Sequence, residues 1–214
     1  MVRCDKIREN IVIFVGVSRN GRFAALTNFL ERGFSAFARP RGALVTDFLS
    51  SSSTPEDFCK GMDDPHAYNG FNLLVADTCM SNVLFVAMSK TGIASVTARC
   101  AVFSNRDPIR APVTVDYGVH VLSNHLLDAP WHKMQRCKSL FGEAVRNPDV
   151  SADDLFTVLN DEQRFAAHSP DVFDCEFEYA LSSIRCWHPS QRYGTRYVMM
   201  PRIADVCIDR QPLY

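Results

Sequence analysis

The chain has 214 residues, 47% hydrophobic and 22% charged, with a formal net charge of −1. That is the composition of one soluble domain, and at this length about 70% of the unfolded surface is buried on folding. No basic field exists to steer the chain to nucleic acid or an anionic membrane. No apolar run approaches the roughly 20 residues that span a bilayer, so an integral membrane protein is not expected.

The cysteines Cys4, Cys59, Cys79, Cys100, Cys137, Cys175, Cys186 and Cys207 form no C-x-x-C pair. Several fall inside apolar patterns and read as reduced, mostly buried thiols, which favours an intracellular setting. The absence of an N-x-S/T sequon agrees with that. Residues 1–9 are charged and lack the apolar centre of a secretory signal.

In chain order, the apolar run Ile11–Val17 and the segment Arg22–Asn28 flank Asn20-Gly21, a strong hairpin signal that predicts a type I′ turn. Phe23, Ala25 and Thr27 would share one face of the second strand; Ala24, Leu26 and Asn28 would share the other. Gly33, Pro40 and Gly42 break the next stretch, and Ala43–Leu49 reads as a short helix. After the polar hinge Ser50–Ser53, Thr54-Pro55-Glu56-Asp57 starts a second helix that ends near Gly61: a capping hydroxyl, proline in the first turn, then carboxylates at the positive end of the helix dipole. Gly70–Asp77 is apolar on both faces and reads as a central strand of a covered sheet.

Val83–Ser89 and Ala94–Phe103 read as further strands, and Gly118 splits Val113–Leu122 into two short ones. Pro130–Val145 is the clearest helix, with Trp131, Met134, Cys137, Phe141, Ala144 and Val145 near one stripe and Lys133, Arg136, Lys138 and Glu143 elsewhere. Ser151 caps a helix that runs through Leu159. Asp171–Ser183 and Gly194–Met200 read as late strands. Strands, then helices, then strands again predict an α+β or layered αββα domain rather than a regular βαβ array.

The phosphate-loop signatures and the G-x-S-x-G elbow are absent. His120, His125, His132 and Cys137 share one window, but their spacing matches no standard zinc pattern, so no metal site is expected. Cys186-Trp187-His188 reads as loop packing. A nucleophile at Cys4 would need processing beyond removal of Met1 to expose its α-amino group. Asn28, Asn72 and Asn124 lie in or near strands; buried amides can serve as oxyanion donors, but they more often tie down loop backbone.

The blocks Gly16–Asn28, Arg39–Leu49, Tyr68–Asp77, Tyr117–Lys133, Ala180–Ile184 and Tyr193–Arg196 are collinear with those of the transport and Golgi organisation protein 2 family, also called the NRDE family, which the chain resembles over about residues 16–196. The resemblance implies one domain over 1–214 with an Ntn-hydrolase-like αββα sandwich. It implies a cytoplasmic protein with mitochondrial or Golgi links, associated with Golgi organisation, secretion, lipid and acyl-CoA homeostasis and haem trafficking. By analogy with the related amidase superfamily, Asn28, Asn124 and Arg196 are the catalytic positions to watch.

Residues 1–15 and 197–214 diverge from the family pattern; the Met-Cys start and the Asn-Arg-Asp-Glu segment are absent. The sandwich is therefore expected to be incomplete at both ends, as in a truncated isoform or an imperfect gene model. The leading expectation is a non-enzymatic factor that binds a small hydrophobic ligand, haem or an acyl-CoA. Haem is the candidate cofactor, and Met80, Met88, His120, His125 and His132 are candidate ligands among which the sequence selects none. A cysteine amidohydrolase of the Ntn type is the alternative, disfavoured by the missing Met-Cys, and a non-functional fragment is the third reading. The sequence leaves the oligomeric state open.

Overall fold

The computed structural model describes residues 14–31, 33, 35–77, 84–88, 92–96, 99–109, 111–116, 118–166, 175–188, 193–195, 197–202 and 207–212. Strands β1 (Phe14–Val17) and β2 (Arg22–Asn28) form the opening hairpin, in register Val17↔Phe23. The turn differs from the type I′ expectation. Gly21 has φ +74°, whereas Asn20 is not left-handed; the Gly21 N–H donates to Ser18 O and the Ser18 N–H to Arg22 O. This is a type I turn closed by a left-handed glycine, the longer hairpin connection, and glycine alone supplies the required φ.

Helix α1 (Gly42–Ser50) follows, then α2 (Pro55–Lys60), whose start is as expected: the Asp57 N–H donates to the Thr54 hydroxyl, with Pro55 in the first turn. The hinge between them is held from β2. Buried Arg22 donates to Ser51 O and Ser53 O, and its guanidinium lies 4.0 Å from the Phe48 ring centroid. Strand β3 (Phe71–Asp77) pairs antiparallel with β2 and is central in its sheet, as its two apolar faces predict.

The run expected as one strand over 94–103 is two. β5 (Gly92–Val96) pairs with β4 (Leu84–Met88), whereas β6 (Arg99–Ser104) pairs with β3 in the other sheet. An alternating apolar pattern such as Ala94, Val96, Ala98 and Cys100 looks the same whether or not the chain changes sheets. Gly118, at φ +146°, likewise separates β7 (Val113–Thr114) on the first sheet from β8 (Gly118–Leu122) on the second.

Helices α3 (His132–Ala144) and α4 (Ala152–Leu159) come next, the latter started by a full capping box between Ser151 and Asp154. Cys175–Leu181, expected as strand, is helix α5. The apolar/polar alternation over Cys175–Tyr179 mimics a strand, but Phe177, Ala180 and Leu181 also stand at i, i+3 and i+4, and Glu, Ala and Leu are strong helix formers. The segment expected as one strand over 194–200 is divided. β9 (Trp187–His188) pairs with β10 (Tyr193–Gly194), while β11 (Tyr197–Arg202) pairs with β4 and with β12 (Cys207–Pro212).

The result is a mixed α/β architecture with two five-stranded antiparallel sheets, in the orders β1-β2-β3-β6-β7 and β12-β11-β4-β5-β8. On the outer face of the first sheet, Ala24, Leu26, Leu73 and Val75 pack against Leu44, Val45 and Phe48 of α1 and Cys59 of α2. On its inner face, Phe23, Ala25, Leu74, Ala76 and Val102 meet Leu122 of β8. The neighbouring β8 residue, Val121, points the other way, into a cluster with Met134, Cys137 and Phe141 of α3 and Leu155 and Leu159 of α4. The period of two thus places β8 between an inter-sheet core and an outer helix layer. Cys59, Cys100, Cys137 and Cys186 are free, buried thiols, and burial pushes the first three up to about 12, which leaves them unreactive at neutral pH.

Candidate functional site

The loop that leaves β8 is tied to the end of the first sheet by a buried polar seam. The Thr27 hydroxyl donates to Ser123 O at 2.8 Å. The Asn72 amide, fully buried, donates to His125 O at 2.9 Å, to Thr27 Oγ1 at 3.1 Å and to Ser123 O at 3.2 Å. The Asn124 amide donates to Asn28 O at 2.8 Å, and the Leu30 N–H donates to Asn124 O at 2.7 Å. Asn28 and Asn124 are therefore brought together. Their described contact runs from amide to backbone, however, the work of loop-tying asparagines. The Asn28 carboxamide oxygen is buried with no hydrogen bond among the described residues. Arg196, the third position of the analogy, and Cys4 lie outside the described residues, as do Met80 and the Met88 side chain.

Beyond this seam lies a small open pocket with a cavity volume of about 60 Å³. Leu30, Trp131, Phe165 and Leu181 give it an apolar wall, and Asn124 and Lys133 are its buried polar members. Its far wall is clamped to α3. Arg136 donates twice to the Asp161 carboxylate, at 2.8 and 2.6 Å, and the Arg185 N–H donates to Asp161 O at 2.8 Å. The Arg136 hydrogen bonds, with smaller help from the Gln163 N–H and against partial burial, hold the Asp161 carboxyl below the usual carboxylate range. Segment 161–165 is thereby fixed against the start of α3, where His132 stacks on Phe165 with ring centroids 5.2 Å apart.

Lys133 is the unexpected member. It is only 5% exposed, although the helix pattern reads it as a surface residue. Its ammonium donates to Leu181 O, at the end of α5, at 3.1 Å and lies 5.4 Å from the Trp131 ring centroid. No carboxylate of a described residue forms an ion pair with it. Burial pushes its pKa down, with the Cys186 and Cys137 thiols opposing. A desolvated lysine in an apolar recess is chemically able to meet an anionic or carbonyl group. The missed signal is the spacing Lys133–Cys137–Phe141, which runs straight down the buried stripe at i, i+4 and i+8.

The histidines singled out by the sequence take separate roles. His120 pairs with Asp128 at 2.7 Å and contacts Asp116 O at 3.0 Å. Burial pushes Asp128 up, but the Val121 N–H, His120 and Lys138 together hold it below its ordinary value. His125 sits between Phe29 and Trp131, each ring 5.1 Å away, and burial lowers its pKa. Cys137 is in the α3–α4 core. Among the described residues, no cluster of three or more His, Cys, Asp or Glu side chains is placed to hold a metal. Nor is any helix there long and apolar enough to cross a membrane.

The Transport and Golgi organisation 2 family profile matches residues 14–200. The chain is similar to the Transport and Golgi organization protein 2 homolog of Bos taurus, 33% identical over 196 residues, and to that of Homo sapiens, 33% identical over 201 residues. It is equally similar to the Mus musculus homolog, 33% identical over 199 residues. In each case 86% of this chain is covered, and the chain spans 64% of the length of the relative. The collinear blocks from Gly16 to Arg196 and the match over most of the sequence agree: the chain belongs to the Transport and Golgi organisation 2 family.

Proposed function

We propose that this chain is a binding factor for a small hydrophobic ligand, of the acyl-CoA or haem class, and serves Golgi organisation and secretion from the cytoplasm or from a mitochondrial or Golgi-associated position. The relatives' names support the transport and Golgi part of this reading alone. The observation that carries the ligand reading is the apolar pocket at Leu30, Trp131, Phe165 and Leu181, floored by the buried polar pair Asn124 and Lys133. Apolar walls with a few convergent polar groups are the common form of a small-molecule site. The two-sheet, helix-covered architecture further supports an Ntn-hydrolase-like αββα sandwich within a single domain over 1–214. The amidohydrolase alternative is the weaker reading, because the Asn124 amide points at the Asn28 backbone carbonyl rather than standing clear for an oxyanion.

The test is thermal unfolding of the purified chain alone, with haemin and with palmitoyl-CoA. A ligand that binds only the native state adds about 2.7 kcal/mol at a hundredfold excess over Kd, which for a chain of this size raises Tm by about 5–11 °C. One ligand is expected to give that shift. A cooperative transition that neither ligand moves refutes the proposal.

A further inference from the structure

We propose that Lys133 reads the head group of the pocket's ligand, so that the site selects an apolar body ending in a carboxylate over the same body ending in a neutral group. The inference rests on the ligand-binding reading of this pocket and names the chemistry that it selects. An ammonium has three N–H donors. In Lys133 one goes to Leu181 O at 3.1 Å, and the Trp131 face lies to one side. The charge has no described carboxylate partner, though Lys133 is only 5% exposed and lines an apolar recess. Burying an ammonium without a counter-ion is expensive, and a ligand carboxylate that arrives within hydrogen-bond reach removes that penalty. Leu30, Phe165 and Leu181 would meanwhile cover the ligand's hydrocarbon.

The remaining polar groups of the recess fit the same assignment. The Ser182 hydroxyl is engaged, donating to Tyr179 O at 2.7 Å and accepting from the Phe165 N–H at 2.8 Å. Glu178, on α5, also lines the recess. His132 lines it from α3, stacked on Phe165. The Cys137 and Cys186 thiols also lie near Lys133, and both are buried.

The contact with Leu181 O alone would suit a lysine that merely caps α5, so the test must separate charge from capping. Decanoate and 1-decanol share an apolar body and differ at the head. Isothermal titration of the full chain with each, at pH 7, is expected to show decanoate bound at least tenfold more tightly. Lys133→Met is expected to abolish that preference while leaving decanol binding in place. Lys133→Gln, which keeps a donor for Leu181 O but no charge, is expected to do the same, and it decides the matter if the methionine variant does not fold. Equal binding of the two ligands by the wild type, or a full preference retained by Lys133→Gln, overturns the head-group assignment but leaves the pocket reading standing. Binding of neither ligand overturns the head-group assignment, while the pocket reading stands or falls on the haemin and palmitoyl-CoA shifts.

Discussion

Replacing Asn72 tests the seam that joins the two sheets and sets the pocket loop. Its amide is fully buried and donates to His125 O, Ser123 O and Thr27 Oγ1. In Asn72→Ala, Ser123 O keeps a donor in the Thr27 hydroxyl, but His125 O loses the one described here. One stranded acceptor and a small void give an expected loss of about 2–3 kcal/mol, a large share of the roughly 5–15 kcal/mol typical of a domain. Asn72→Asp keeps the shape and reverses the chemistry. A carboxylate would face two backbone carbonyl oxygens out of water, and both effects raise its folded-state pKa above the unfolded value near 3.9. The folded state then holds more protons than the unfolded state, so stability is retained below the unfolded pKa and lost as pH rises toward the folded pKa. The slope is about 1.4 kcal/mol per pH unit, or up to about 3.4 kcal/mol between pH 4.5 and 7 if the folded pKa exceeds 7. Urea unfolding of wild type, Asn72→Ala and Asn72→Asp at those two pH values reads this directly. The aspartate variant should be the less stable of the two at neutral pH and should recover in acid. An Asn72→Asp protein as stable as Asn72→Ala at pH 7, or one whose deficit does not change with pH, refutes the reasoning.

Phe141→Ala empties the middle of the α3–α4 cluster, where Phe141 is fully buried, and should lose about 3–5 kcal/mol by denaturant titration. Ser151→Ala removes one half of the capping box on α4 and should lose about 1 kcal/mol with no change in the m-value. Arg136→Gln breaks the two-pronged contact with Asp161 and should lose about 1 kcal/mol at neutral pH. Because Asp161 is held below its ordinary value, that contribution is present above the unfolded carboxyl pKa and lost as pH falls through the folded one. The variant should therefore match wild type in strong acid, where pH-dependent melting curves would converge.

Much of the fold was legible because its signals are local. Thr54-Pro55 and Ser151-Ala152-Asp153-Asp154 announce helix starts through side chains that reach only three residues ahead, and both caps form. The central placement of β3 follows from its two apolar faces, which need cover on both sides. The failures are non-local or arise where two periods fit equally well. Nothing in the apolar sequence of 92–104 marks that Val96 ends a strand in one sheet and Arg99 begins one in the other. Cys-Glu-Phe-Glu-Tyr-Ala-Leu carries a strand period and a helix period at once, and helix propensity decided between them. At the hairpin, Asn20-Gly21 predicted the turn, but the Ser18 backbone groups bonding to both Gly21 and Arg22 selected a longer loop.

The site was legible in its asparagines and hidden in its lysine, for one physical reason. A buried amide in a strand context has few roles, so Asn28, Asn72 and Asn124 could be picked out from residue type and place; the Asn124 amide holds the Asn28 carbonyl, and the Asn72 amide holds those of Ser123 and His125. A lysine on a helix has a strong default, the solvated face, and Lys133 overrides it at a position that continues the Cys137–Phe141 stripe toward the first turn. A core that only needed volume there would place a leucine or methionine, which would avoid the desolvation of an ammonium without a described counter-ion. Capping the Leu181 carbonyl recovers part of that penalty, since one charged hydrogen bond in a dry site contributes on the order of 1.5–3 kcal/mol. The balance is open at the pocket wall, and an anionic ligand is the chemistry that closes it. Lys133→Met should then leave the free protein as stable as wild type or more so, and weaken it only where a carboxylate ligand is present; a variant destabilised equally with and without decanoate would make Lys133 a helix cap and nothing more.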